Sequence, residues 1–121
     1  MPIATFSLVA LDCPDPVELA AFYQQIVGGE IKAQTASGDW QRLHVTGASD
    51  LGFQLDPDHQ PPNWPDGPPQ QAHLDFDVAD LDEGERLVLE VGAVKAEVQP
   101  QPADWRVFID PAGHPFCLVR V

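Results

Sequence analysis

One pattern is written twice into this chain, and it leaves few folds open. An apolar run rich in β-branched residues, Ile3 to Leu11, leads into LDCPDPVELAAFY, and a second run, Ala72 to Val78, leads into VADLDEGERLVLEVG. Asp15 stands as an N-cap before a proline at the first helical position, and Asp80 opens the second helix. In the first helix Val17, Leu19, Ala20, Phe22, Tyr23, Ile26 and Val27 keep helical spacing until Gly28-Gly29 stops it. In the second the apolar positions are Leu81, Leu87, Val88, Leu89 and Val91, before Gly92. Three strand candidates follow the first helix: Glu30 to Gln34, Trp40 to Thr46 and Leu51 to Leu55. Ala93 to Val98, Val107 to Ile109 and Phe116 to Val121 follow the second, with Gln99 to Asp104 as a loop. The expected order is βαβββ repeated, an α+β chain.

The last two strands carry the strongest local signal. Between them stands Asp110-Pro111-Ala112-Gly113, which reads as a hairpin turn. Pro111 presets φ, Gly113 can take positive φ, and the Asp110 carboxylate can accept a backbone N–H across the turn. Such a turn fixes register. Alternation then places Cys117, Val119 and Val121 on one face and Phe116, Leu118 and Arg120 on the other.

With 121 residues, 44% of them hydrophobic, the chain can bury a core and is expected to form one domain. Its formal charge of -13 would repel phosphate backbones and anionic lipid, so neither nucleic acid nor a membrane surface is an expected partner. No apolar run reaches the length of a membrane span, and the N-terminal residues lack the basic start and cleavage site of a signal peptide. A cytoplasmic location is expected, with Cys13 and Cys117 as reduced thiols. Residues 57–71, proline-rich around PDHQPPNWPDGPPQ, cannot supply enough N–H donors to sit inside a sheet. They form a loop that either joins the two units, about 1–56 and 72–121, or covers a site.

Two tandem βαβββ units, with FYQQIVGG closing the first helix and DPAGHPFCLVRV at the end, resemble the vicinal oxygen chelate superfamily. Within it the chain is most similar to the glyoxalase-like domains grouped with bleomycin-resistance proteins and dioxygenases. The resemblance implies a cup-shaped, incompletely closed mixed-sheet barrel with helices outside, often as a homodimer. Metal-dependent members place one ligand on the first strand, one on the last strand of the first unit, one on the opening strand of the second unit and one on the final strand. The matching positions are Leu8, Gln54, His73 and Cys117. Leu8 has no donor atom, Gln54 has a neutral amide, and only His73 is a strong ligand, with Cys117 available as a thiolate. No metal or other cofactor is therefore expected, although a divalent ion through the remaining donors stays open.

His73 is read in two ways, as a histidine bonded to a neighbouring carboxylate for structural reasons or as a substrate-binding group and candidate general base, with Asp75 on its face. Gln54 would hydrogen-bond a ligand, because an unpaired buried amide is unfavourable. Cys117 reads as core filler before nucleophile, and His114 as a turn residue. Trp40, Trp64 and Trp105 each suit core packing singly. As a set, near Phe6 and Phe53 in the pattern, they suggest an apolar or aromatic ligand oriented by Gln54, His73 and Asp75. Three functions follow: a small-molecule binding protein without metal; a lyase, isomerase or dioxygenase-type enzyme built on His73 with Gln54 and Cys117; or a dimerising structural or regulatory module.

Overall fold

Both helices begin where an aspartate can satisfy their free N–H groups. In the computed structural model, which describes residues 2 and 6–121, Asp15 Oδ1 accepts the Glu18 N–H at 3.1 Å and opens α1, Pro16–Val27. Asp80 Oδ1 accepts the Glu83 N–H at 3.1 Å and opens α2, Leu81–Glu90. Gly28, at φ 72°, ends α1 with its N–H on the Gln24 carbonyl.

Residues 1–59 and 60–121 are two compact units of the same design. In the first, β1 (Leu8–Cys13), β2 (Glu30–Ala33), β3 (Trp40–His44) and β4 (Asp50–Leu55) form a sheet in the order β1-β4-β3-β2. In the second, β5 (Leu74–Val78), β6 (Val94–Lys95), β7 (Trp105–Ile109) and β8 (Pro115–Arg120) form a sheet in the order β5-β8-β7-β6. The first strand of each unit pairs parallel with the last and the remaining pairs are antiparallel, so both sheets are mixed and neither closes into a barrel. A parallel pair needs a long crossover, which the helix and two strands between its members provide. No helix among the described residues is long and apolar enough to cross a membrane.

Each helix covers one face of its own sheet. Leu19, Ala20, Phe22 and Tyr23 of α1 are buried with Cys13, Leu43, Leu51 and Phe53, and the Tyr23 ring stacks on Phe53 with centroids 5.7 Å apart. Phe53 thus belongs to the helix side of the sheet and not to a ligand surface. In the second unit Gly84 lets α2 approach closely, since a Cβ there would lie 3.1 Å from Leu118 and 3.3 Å from Val78. Phe116, Leu118 and Phe108 are buried beneath it.

Strand boundaries differ from expectation for identifiable reasons. Of the expected first strand, Ile3 to Thr5 lie outside the described residues, whereas Asp12 and Cys13 extend β1 until Pro14 ends it. His73 precedes β5 and does not lie within it. The expected strand from Ala93 to Val98 shrinks to Val94–Lys95 because the Gln99 carboxamide takes over the ladder. Its Nε2 donates to the carbonyls of Ala96 (2.9 Å) and Val107 (2.7 Å), and its Oε1 accepts the Val107 N–H at 2.9 Å. Pro100 and Pro102, which follow, have no N–H to continue the pairing. Replacing Gln99 with Ala, which takes the side-chain partner from the Ala96 carbonyl and the Val107 N–H while the Val107 carbonyl keeps the Ala96 N–H, is expected to cost about 1–3 kcal/mol, measured as a lower urea midpoint.

Candidate functional site

The closing turn places the second unit's functional face. Asp110 is buried, and its Oδ1 accepts the N–H groups of Ala112 (2.8 Å) and His114 (2.9 Å). With the register so held, Cys117 lies opposite Val107 on one side and Asp75 on the other. Cys117, Val107 and Trp105 therefore face away from α2, as does Asp75, while Phe116 and Leu118 face the helix. Ala96, Val107 and Cys117 form a small buried cluster, with Trp64, Trp105, Ile109 and Val119 packed against it.

Trp64 comes from the proline-rich segment, which is part of this unit and folds onto its sheet. Pro61 packs so closely against Gly113 that any side chain at that glycine would collide with it, and Gly113 also holds φ at 93°. Further along, the Asn63 N–H donates to the Pro68 carbonyl at 2.8 Å and draws the loop together. Loop and sheet thereby form a half-open pocket of about 150 Å³ lined by Trp64, Gln70, His73, Trp105, Val107, Pro115 and Cys117.

Three polar groups decide the chemistry of this cavity. His73 Nε2 lies 3.2 Å from Asp75 Oδ1, and both side chains are half-exposed. Cys117 Sγ completes a cluster with them, the donor atoms lying within 4.8 Å of one another. Burial pushes the Cys117 thiol up to about 11, and the Asp75 charge and a hydrogen bond to that carboxylate add to the shift. A thiol so protected is a poor nucleophile. The third group is the Gln70 carboxamide, whose Oε1 is buried without a hydrogen-bond partner. Sequence reasoning missed Gln70. As one of several polar residues in a proline-rich loop, it carried no signal of its own.

The other sequence candidates lie in the first unit, on the sheet face turned from α1. Leu8, Gln54 and Trp40 come from β1, β4 and β3. The Trp40 ring crosses Gly52, where a Cβ would lie 2.6 Å from its Cη2 and 3.0 Å from Leu8 Cδ1. Gln54 is exposed, so the buried amide that sequence reasoning placed there is found at Gln70 instead. On the same face Asp50, itself buried, accepts from Arg42 Nε at 2.7 Å and from the Val45 N–H at 3.2 Å, and its Oδ1 lies 2.9 Å from His44 Nδ1. The Arg42 guanidinium is the main cause that holds the Asp50 carboxyl below its ordinary value.

The donor set does not suit the ion of the metal-dependent relatives. Leu8 supplies no ligand and Gln54 only an amide. The cluster in the second unit offers one imidazole, one carboxylate and one protonated thiol, whereas hard octahedral ions take oxygen-rich shells.

Two measurements check these electrostatics. At pH 8 the shift at Cys117 corresponds to a thiolate fraction on the order of a hundredfold below that of a thiol at its usual 9.0. Iodoacetamide labelling mapped by mass spectrometry should be slower by that factor, and Asp75→Asn should speed it only in part because burial remains. For Asp50, a lowered pKa contributes stability that is present above about pH 4 and lost as pH falls through the folded-state value. Asp50→Asn should therefore lower the urea midpoint at pH 7, and the difference from the unaltered protein should close in strong acid.

Comparison with known proteins places this geometry. The model of the glyoxalase-like domain matches residues 8–119. No curated protein matches the chain by sequence. Among solved structures, a glyoxalase/bleomycin resistance protein/dioxygenase family enzyme from Burkholderia phytofirmans is 23% identical with a TM-score of 0.73, over 98% of this chain and 99% of that one. A glyoxalase/dioxygenase from Nostoc punctiforme is 20% identical with a TM-score of 0.70, over 96% and 90% of the two chains. A fosfomycin resistance protein from Listeria monocytogenes, complexed with Mn(II) and a dihydroxypropylphosphonic acid, is 17% identical with a TM-score of 0.69, over 98% and 90%. These likenesses agree on the fold, and the family model spans nearly all of the sequence: the chain belongs to the glyoxalase-like domain family of the vicinal oxygen chelate superfamily.

Proposed function

We propose that this protein binds a small apolar or aromatic molecule in the cavity of its second unit, without a resident catalytic metal. The observation that carries the reading is the half-open pocket of about 150 Å³ between the loop residue Trp64 and the strand residues Trp105, Val107 and Cys117. A volume of that size has room for about one benzene-sized ring. The two indoles supply broad, rigid contact area at little entropic cost, while His73, Gln70 and the nearby Asp75 supply polarity at one side. Leu8, Trp40 and Gln54 on the first unit's open face present further surface of the same apolar and amide chemistry. A cytoplasmic setting and assembly into a homodimer complete the proposal. Cys13 and Cys117 form no disulfide, which suits a reducing compartment.

A second reading, an enzyme of the lyase or isomerase type with His73 as acid or base, is favoured by the His73–Asp75 pair, which would orient the imidazole. Its metal-assisted version draws on the proximity of His73, Asp75 and Cys117.

Protein purified without chelator is expected to carry far less than one divalent ion per chain by elemental analysis; a stoichiometric ion would favour the enzyme. For the binding site, Trp105→Ala and Trp64→Ala are each expected to weaken binding of toluene at least about tenfold by NMR titration, the scale of an interface anchor. Leu87→Ala, on the exposed side of α2, should leave binding unchanged. Light scattering tests the dimer.

A further inference from the structure

We propose that His73, Asp75 and Cys117 form a binding site for a thiophilic divalent ion, Zn(II) or its softer congener Cd(II), taken up from solution and exchangeable. The site goes beyond the ring-binding reading and does not rest on it. The three donor atoms, one from each residue, lie within 4.8 Å of one another, and His73 Nε2 is 3.2 Å from Asp75 Oδ1. A tetrahedral ion with bonds of about 2.0–2.3 Å sets its donors roughly 3.3–3.8 Å apart, so side-chain movements on the order of 1 Å bring all three onto one centre.

The backbone supports that convergence. Asp75 on β5 is the register partner of Cys117 on β8, so strand pairing turns both side chains to the same face. His73 lies two residues before Asp75, and its ring comes back to that carboxylate. The side chains of His73 and Asp75 are half-exposed, which leaves an ion a path, and His73 and Cys117 also line the half-open pocket.

The chemistry of the set selects the ion. One thiolate, one imidazole and a single carboxylate suit zinc and softer ions, whereas Mg(II) and Mn(II) prefer oxygen throughout. Two anionic donors balance a divalent charge, and a chain of net charge -13 concentrates cations around itself. On binding, the Cys117 S–H bond breaks, an S–metal bond forms and the proton passes to water. Asp75 exchanges the hydrogen bond it takes from the thiol for a bond to the ion. His73 presents Nε2 and carries its own proton on Nδ1. Three ligands, one of which must first lose a proton, hold an ion less firmly than the closed four-ligand sites of structural zinc.

This set is not the one that the metal-dependent relatives use. Of the four matching positions, Leu8 and Gln54 belong to the first unit and contribute nothing, while the third donor, Asp75, stands at none of them. One unit holds the whole site.

The test is titration of the chelator-treated full chain with Cd(II), following the ultraviolet thiolate-to-metal charge-transfer band. One ion per chain is expected, undisturbed by excess Mg(II) or Mn(II). Cys117→Ser is expected to abolish the band, and Cys13→Ala, which removes the other thiol, to keep it. His73→Ala and Asp75→Asn should each weaken Cd(II) binding at least about tenfold, the least that a group supporting a metal site is worth. Should Cys117→Ser fail to fold, these two variants of half-exposed residues decide. No band, or a band that survives Cys117→Ser, overturns the proposal. So does a band that needs Cys117 but is indifferent to either His73→Ala or Asp75→Asn, and so does displacement of Cd(II) by Mn(II), the mark of an oxygen-rich site. Toluene titration reads the ring pocket separately, so the failure of either reading leaves the other standing.

Discussion

The second unit depends on one buried carboxylate. Asp110 gathers the N–H groups of Ala112 and His114, while its own N–H and carbonyl bond to His114 and Gly113 across the same turn. A slip of one residue between β7 and β8 would exchange the faces of the last strand, turning Phe116 and Leu118 away from α2 and Cys117 towards it. The same turn seats the proline-rich loop, because Gly113 offers Pro61 a surface without a side chain. Fold, face and pocket thus share a single local cause.

Local signals were legible in the sequence and tertiary ones were not. The two capping aspartates, the glycines that end α1 and the DPAG turn act over a few residues, and each appears where expected. The limits of β6 depend on the Gln99 side chain reaching the backbone eight residues further on, a contact that no periodicity encodes. For the site, Trp64, Trp105, His73 and Cys117 were singled out and line one cavity. Gln54 and Gln70 have the same side chain, and only the packing of the loop determines which amide is buried. Asp50 lies one residue before the expected strand Leu51 to Leu55, yet it joins Arg42 and His44 within the folded sheet.

The chemistry of the open faces differs between the two units in spite of their shared topology. Beside Trp40 and Gln54, the first gathers charge, with arginine and histidine around Asp50. The second gathers indoles, an amide and a thiol that its surroundings keep protonated. A fold that accommodates both sets prescribes neither, which is why activity has to be argued from side chains and not from family membership.

The cavity has walls of two origins. Trp105, Val107, Pro115 and Cys117 are built into the sheet, where each residue also answers to strand pairing and to the core behind it. Trp64 and Gln70 sit on a segment outside the strand pairing, held by its seat on Gly113 and by the packing of Trp64 itself. Substitutions in this ceiling can therefore alter what the hollow accepts while the floor keeps its register, so new chemical tastes can evolve here without endangering the architecture.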